Sequence, residues 1–384
     1  MPRPALRLAV ELDGDGAHPA AWRRASHAPA ELLTPRRIAR TAAAAENAGF
    51  TLVTLDDSIL PPSSGAGAGP VGRIGAVERA AFVAAATSVV GVAPVVATTY
   101  AEPFHVSSQL SSLDHVSAGR AGWVVGTEED PTAARAWGRP LVEGPEALAR
   151  EARDGLRVVR DLWDSWEDDA VIRSVATSRY LDRERLHAID FEGETYSVKG
   201  PSIVPRPPQG RPVVLARQDL VPAELTDVAL VGGTTAAETG AAGEAAKAAG
   251  VPLAFAEIEV ALDTPRETAR ERIADLERYS PWAERPDRLR YSGSAGGLVA
   301  LLAELASHVD GVRLLPLVLD EDLSVLSRLV LPELFVRRLA TRPLPGTTLR
   351  TSLGLPRPAS RFATGTGTDA VSATAAALVR EETR

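Results

Sequence analysis

A chain of 384 residues can bury a large core, and 45% hydrophobic with 24% charged residues is the composition of an ordinary soluble globular protein. The formal net charge of −8 argues against nucleic acid or an anionic membrane as the main partner, and the absence of cysteine excludes disulfides, thiolate nucleophiles and cysteine-bound metals. No apolar run reaches the ~18 residues of a membrane span and MPRPALRLAVEL carries no long apolar signal region, so a cytoplasmic protein is expected.

Taken in chain order, 6–12 (LRLAVEL) reads as a first strand, followed by a polar, Gly- and Pro-containing loop to 34. Thr34-Pro35 starts a helix, with Thr as N-cap and Pro where its missing N–H is harmless, and Gly49 is placed to end it. Residues 51–55 (TLVTL) form the second strand, which ends in Asp56 and Asp57. Residues 61–75 are a Pro/Gly/Ser loop without apolar period, expected to be mobile. A helix at 77–88 leads to a third strand at 89–97, a helix at 106–116 and a fourth strand at 122–126. That is one βαβ unit, with the loop 98–104 at a strand's carboxyl end, where α/β folds place their ligands.

A long amphipathic helix, the fourth, covers 145–166. The excursion 167–211 has short elements of its own and reads as an insertion packed on the barrel. Strands five to eight fall at 213–216, 227–231, 253–262 and 311–315. Helices are expected at 234–249, from Thr264-Pro265 to Tyr279, at 297–308 and at 323–339. Eight apolar strands alternating with helices predict an α/β fold, a (β/α)8 TIM barrel with an insertion between helix 4 and strand 5. The barrel domain spans 1–345 and a C-terminal tail 346–384, in which a short terminal helix follows the low-complexity ATGTGT.

TTYAEPFHV at 98–106 and LDHVSAGRAGW at 113–123 resemble the bacterial luciferase-like flavin-dependent monooxygenases, in the branch of the nitrilotriacetate and dibenzothiophene-sulfone enzymes. AWRR around Trp22, AGFTLVTLDDS at 48–58, LWDSW at 162–166, VKGPSIVPRPPQGRPVVL at 198–215 and GTTLRTSLGLPRPASRF at 346–362 agree in the same order, so the resemblance spans nearly the whole chain. It implies reduced FMN supplied by a separate flavin reductase, O2, a small-molecule substrate and a homodimer. On that resemblance Asp57, Thr98, Thr99, Trp123 and Arg217 are expected to bind the cofactor. His105 and Glu102 are expected to handle protons, since each can change charge in a dry pocket. Asp114 and His115 are read instead as a cap tying a helix end to its neighbours. The other histidines show no metal-binding spacing, and no metal is expected.

Three positions depart from the branch. Val124 follows Trp123 where the family has Asn, Pro145–Ala149 stands where it has His-x-x-Arg-Tyr, and Ala216-Arg217-Gln218-Asp219-Leu220 replaces its phosphate-binding turn. Arg217 offers a bidentate phosphate contact, but Asp219 repels the same anion. Gly232-Gly233-Thr234-Thr235 is a candidate for a substitute anion site of the kind barrels place late in the chain, with an ordinary strand–helix turn as the alternative reading. The departures keep an alternative open: a homologue that has lost the flavin and serves as a binding or scaffold subunit. Use of a deazaflavin is a third reading, disfavoured by the branch-specific segments.

Overall fold

The computed structural model describes residues 5–60 and 72–362. Its strands, in chain order, are β1 (Arg7–Glu11), β2 (Leu52–Leu55), β3 (Gly91–Ala97), β4 (Gly122–Gly126), β5 (Val171–Ser174), β6 (Arg179–Leu181), β7 (Phe191–Glu192), β8 (Ser197–Val198), β9 (Val213–Arg217), β10 (Val228–Val231), β11 (Leu253–Leu262), β12 (Leu289–Gly293) and β13 (Gly311–Pro316). Eight of them pair in parallel in the order β1-β2-β3-β4-β9-β10-β11-β13, and β13 returns to β1, closing the barrel. All eight expected strands are these eight. The ninth member of the sheet, β12, pairs with the upper half of β11 (Ile258 to Leu262), beyond the point where β10 stops at Val231. Its sequence, LRYSG, alternates weakly and carries no apolar run, so it was not expected as a strand.

The helices are α1 (Pro35–Ala48), α2 (Ala76–Ala86), α3 (Pro103–Val116), α4 (Pro131–Ala136), α5 (Pro145–Asp164), α6 (Ala236–Ala248), α7 (Ala269–Glu277), α8 (Ala295–Leu305), α9 (Leu319–Val325), α10 (Leu331–Val336) and α11 (Leu349–Leu353). Thr34 caps α1 by accepting from the Arg37 N–H, and Gly49 ends it at φ +98°, a left-handed conformation that glycine adopts without steric cost. Two starts are corrected: the closing helix expected from 323 begins at Leu319, and α7 begins later than expected. Helix α7 begins after Thr268, not at Thr264-Pro265. Thr268 Oγ1 accepts from the Glu271 N–H (3.3 Å) while the Glu271 carboxylate accepts from the Thr268 N–H (2.8 Å). This reciprocal box satisfies two end donors, whereas Thr264 only folds a turn by accepting from the Glu267 N–H (3.1 Å). Between α9 and α10 the helix widens to a π segment at Leu326–Val330, just before Pro332, which has no N–H to donate one turn back.

Period-two alternation sends one set of strand side chains into the lumen and the other under the helices. Toward the amino-terminal end the lumen is filled by Ala9, Leu52, Ala93, Val124, Leu215, Leu230 and Phe255. Leu349, Leu353 and Leu355 join this cluster, so α11, although in the segment read as a tail, plugs the lower mouth. Gly91 and Gly122 make room for it, since an added Cβ would lie 2.7 Å and 3.2 Å from Leu349 methyls. In the excursion 167–211, β5–β6 and β7–β8 form two antiparallel pairs. They are tied to α5 by Asp164, which accepts from Arg206 and Arg211, and by Trp166, whose Nε1 donates to the Ser202 carbonyl (2.8 Å). The expected loop at 61–75 lies, for 61–71, outside the described residues, as does the terminal helix expected within 363–384. Among the described residues no helix is long and apolar enough to cross a membrane.

Candidate functional site

Above the apolar layers, the upper lumen turns from hydrophobic to charged. Glu11 on β1, Thr54 on β2, Glu257 and Glu259 on β11 and Arg313 on β13 all occupy inward positions near the strands' carboxyl ends. Arg313, 3% exposed, donates to Thr54 Oγ1 (3.0 Å) and is ion-paired with both Glu11 and Glu257. Glu259 continues the network to Arg290 (2.9 Å), and Arg288 lies 3.8 Å from both Glu257 and Glu259. Burial raises the Glu11 carboxyl from 4.5 to about 7, outweighing the attraction of Arg313. Asp56 is raised as well, first by burial and then by the nearby Asp13. A buried carboxyl that titrates near neutrality, at the end of a barrel where ligands bind, can exchange a proton with a bound molecule.

Beside the mouth, under the loop that follows β1 and between α1 and α2, is a cavity of about 310 Å³. Its apolar wall includes Leu12, Ile38, Leu55 and Val83, and its polar wall Asp13, Asp15, His18, Arg37, Arg73 and Arg79. Arg79 joins cavity and mouth: its Nη1 is 2.6 Å from Asp13, and its Nη2 donates to the Asp56 carbonyl. Arg37 is held by Asp320 (2.5 Å) and Asp15 by His27 (2.8 Å), while burial raises the Asp15 carboxyl and lowers the His18 imidazole.

The residues expected at the site are scattered around this region rather than gathered in it, and none of them lines the cavity. Asp57 accepts from the N–H groups of Ala76 (2.7 Å) and Ser58 (2.9 Å), capping α2. Glu102 caps α3 by accepting from the His105 N–H (2.9 Å), and both side chains are exposed. Thr98 and Trp123 come together, but on the helix side of the sheet. Thr98 packs against Gly155 of α5, and Trp123 stacks edge-on against Trp163 at 6.3 Å while its Nε1 donates to the Val96 carbonyl (3.0 Å). Thr99, buried, accepts from the Glu128 N–H (3.2 Å). Asp114 is the tie it was read to be. It accepts from Ala121 and twice from Gln209, and burial raises it to about 6.

Neither expected anion seat is open. Arg217 is paired with Asp219 and, at 3.3 Å, with Asp287, so its charge is already balanced. At Gly232–Thr235 the Glu238 carboxylate accepts from the Thr234 N–H (2.8 Å) and hydroxyl (2.7 Å), filling the start of α6 with the chain's own anion. The Asp287 carbonyl would lie 2.0 Å from a Cβ on Gly232, so backbone also closes over that turn.

The lumen network was missed, although a signal was present. Charges two apart inside otherwise apolar strands, Glu257 and Glu259 in LAFAEIEVAL with Arg313 in GVRLL, share the inward face. An apolar strand buried on both faces has no reason to carry them unless they meet one another.

A model of the luciferase-like monooxygenase family matches residues 17–296. N-acetyl-S-(2-succino)cysteine monooxygenase of Bacillus subtilis is 37% identical over 214 residues, 55% of this chain and 47% of that protein. Dibenzothiophene-sulfone monooxygenase of Rhodococcus erythropolis is 33% identical over 205 residues, 51% of this chain and 45% of that protein. The chain thus spans about half the length of the curated relatives it matches. In fold it is similar to the crystal structure of a long-chain alkane monooxygenase, with a TM-score of 0.78 over 92% of this chain and 96% of that one at 20% identity. By the family match, the chain belongs to the luciferase-like monooxygenase family.

Proposed function

We propose that the chain is a flavin-dependent monooxygenase that oxygenates a small organic substrate, taking O2 from solution and reduced FMN from a separate reductase. The observation that carries this reading is the family match over residues 17–296, which takes in most of the loops around the barrel's carboxyl mouth. A cytoplasmic homodimer, implied by the resemblance, is part of the same proposal. A flavin-free scaffold role is not favoured, because the relatives named above are monooxygenases.

Neither of the two seats expected for the phosphate of FMN fits it as it stands, since both hold the chain's own carboxylates. What the chain itself supplies is a proton-exchanging group, Glu11, and Arg313, which holds the charge of its ionised form. The adjoining cavity supplies a partly apolar place for an organic molecule. This reading gives proton transfer to Glu11 ahead of Glu102 or His105, because the Glu102 carboxylate is spent on a helix cap and both of those side chains are exposed, whereas Glu11 lies largely buried in the upper lumen. Of the expected cofactor ligands, Thr99 and Arg217 keep places at strand ends, Asp57 is placed as a helix cap, and Thr98 and Trp123 support α5 from behind.

The test is a titration of the purified chain with FMN and with riboflavin, each oxidised and then anaerobically reduced, followed by flavin fluorescence or absorbance. Reduced flavin is expected to bind at about micromolar Kd, with FMN gaining little over riboflavin. Glu238→Gln, which removes the resident anion, should tighten FMN several-fold and leave riboflavin unchanged. Failure of both flavins to bind at ~1 mM would overturn the proposal.

A further inference from the structure

Buried polar atoms that lack a partner are concentrated at one place. Among the described residues twelve buried side-chain N or O atoms have no hydrogen-bond partner, and five belong to residues lining the 310 Å³ cavity. They are Asp15 Oδ2, His18 Nε2, Arg37 Nη2, Arg73 Nη1 and Arg79 Nε. Four of these residues are more than nine-tenths buried: Asp15 at 8%, His18 at 2%, Arg37 at 4% and Arg79 at 6% exposure. A buried polar atom is costly without a partner, and five around one cavity define a hydrogen-bonding pattern waiting for its complement.

The pattern has a sign. The backbone N–H of Ala20 can only donate, and it points at His18 Nδ1 (3.0 Å), so the imidazole proton sits on Nε2, which is therefore a free donor. Arg37, Arg73 and Arg79 each contribute one more unpaired N–H. Against these four donors stands one acceptor, Asp15 Oδ2, whose sister oxygen is taken by His27. The guanidiniums are not bare: Arg37 is paired with Asp320 and lies 3.8 Å from Asp15, and both Arg73 and Arg79 are paired with Asp13. The wall therefore selects an acceptor-rich group through its unpaired donors rather than through surplus charge, and a dianion would meet the repulsion of Asp13 and Asp15. Much of the rest of the wall is apolar, with Leu12, Leu32, Ile38, Leu55, Val83 and Leu319. The volume is at the small end of the roughly 300–1,000 Å³ of ligand pockets.

We propose that this cavity binds an organic monocarboxylate with an apolar body and one hydrogen-bond donor near the carboxylate. The carboxylate meets Arg37, Arg79 and the His18 Nε2–H, the donor meets Asp15 Oδ2, and the body lies on the leucine and isoleucine wall. That this ligand is the substrate rests on the monooxygenase reading; that it binds does not.

The test is calorimetric titration of the flavin-free full chain with phenyllactate, which has all three features, and with its primary amide, which lacks the charge. Phenyllactate is expected to bind, the amide about tenfold or more weakly. His18→Phe and Arg37→Met are each expected to weaken phenyllactate about tenfold. Because Arg37 also holds Asp320, the His18 variant, confirmed as folded by its circular dichroism and unfolding midpoint, is the deciding one. Equal affinity for acid and amide, unchanged affinity in folded His18→Phe, or no binding at ~10 mM phenyllactate would overturn the proposal. Carboxylate binding without flavin binding would leave the site and remove the reaction; flavin binding without carboxylate binding would do the reverse.

Discussion

Replacing Glu11 by Gln tests whether the upper lumen holds a proton near neutrality. The folded carboxyl is raised from 4.5 to about 7, mainly by burial, with Asp56 and Asp13 adding and Arg313 and Arg288 opposing. The side chain is 12% exposed, so solvent screens it little. Between these two values the folded chain holds a proton that the unfolded chain has released, so stability falls as pH rises through the window. Glu11's contribution is therefore complete below 4.5 and lost as pH passes about 7, a change worth ~3 kcal/mol. Gln is nearly isosteric, keeps an acceptor for Arg313 and does not titrate. The variant should thus gain ~3 kcal/mol relative to the parent between about pH 4.5 and pH 7.5, on top of a constant offset. Other raised carboxyls, Asp56 and Asp114 among them, remain in both proteins and largely cancel in the difference. Urea unfolding at several pH values, followed by tryptophan fluorescence, reads it, since Trp123 and Trp163 are buried in the core. Stability profiles that stay parallel within ~1 kcal/mol across the window would refute the reasoning.

Two further outcomes concern the frame. Asp322, fully buried, accepts from Arg272 Nη1 (2.6 Å) and from the N–H groups of Val318 (2.8 Å) and Leu262 (2.9 Å). Asp322→Ala should cost roughly 3–5 kcal/mol in urea unfolding because it leaves the buried Arg272 guanidinium with Glu321 as its one carboxylate and takes the acceptor from two backbone N–H groups, and adding Arg272→Met should recover part of the loss; a double variant no better than the single would contradict this. Leu349→Ala should cost roughly 2–5 kcal/mol by opening the plug of the lower mouth. Phenyllactate binding at the opposite end should be unchanged, and a cost below ~1 kcal/mol would mean that α11 is not part of the barrel core.

The eight barrel strands and the caps of α1 were legible in the sequence because they depend on neighbours a few residues away. An apolar β-branched run, a Thr-Pro start or a glycine stop has nearly the same meaning wherever the chain later goes. The start of α7 shows the limit of that logic: Thr264-Pro265 has the local form of a helix start, yet the reciprocal bonds between Thr268 and Glu271 place the cap at Thr268.

The site was less legible, because its meaning rests on which face of the sheet a residue takes and on what it meets from far along the chain. Thr98 follows β3 and Trp123 lies within β4 as expected, yet parity turns both toward α5. Arg217 is a phosphate ligand on paper, but Asp287, 70 residues on, neutralises it across the turn. Arg313 and Glu11 are 302 residues apart and meet only because β13 closes on β1. The sequence by itself determined that eight strands and their helices would form a barrel, since burial of apolar runs leaves few other solutions. Only the tertiary structure decided where the charge goes, because a buried ion is tolerable solely beside its counter-ion, and that pairing exists only once the barrel is closed.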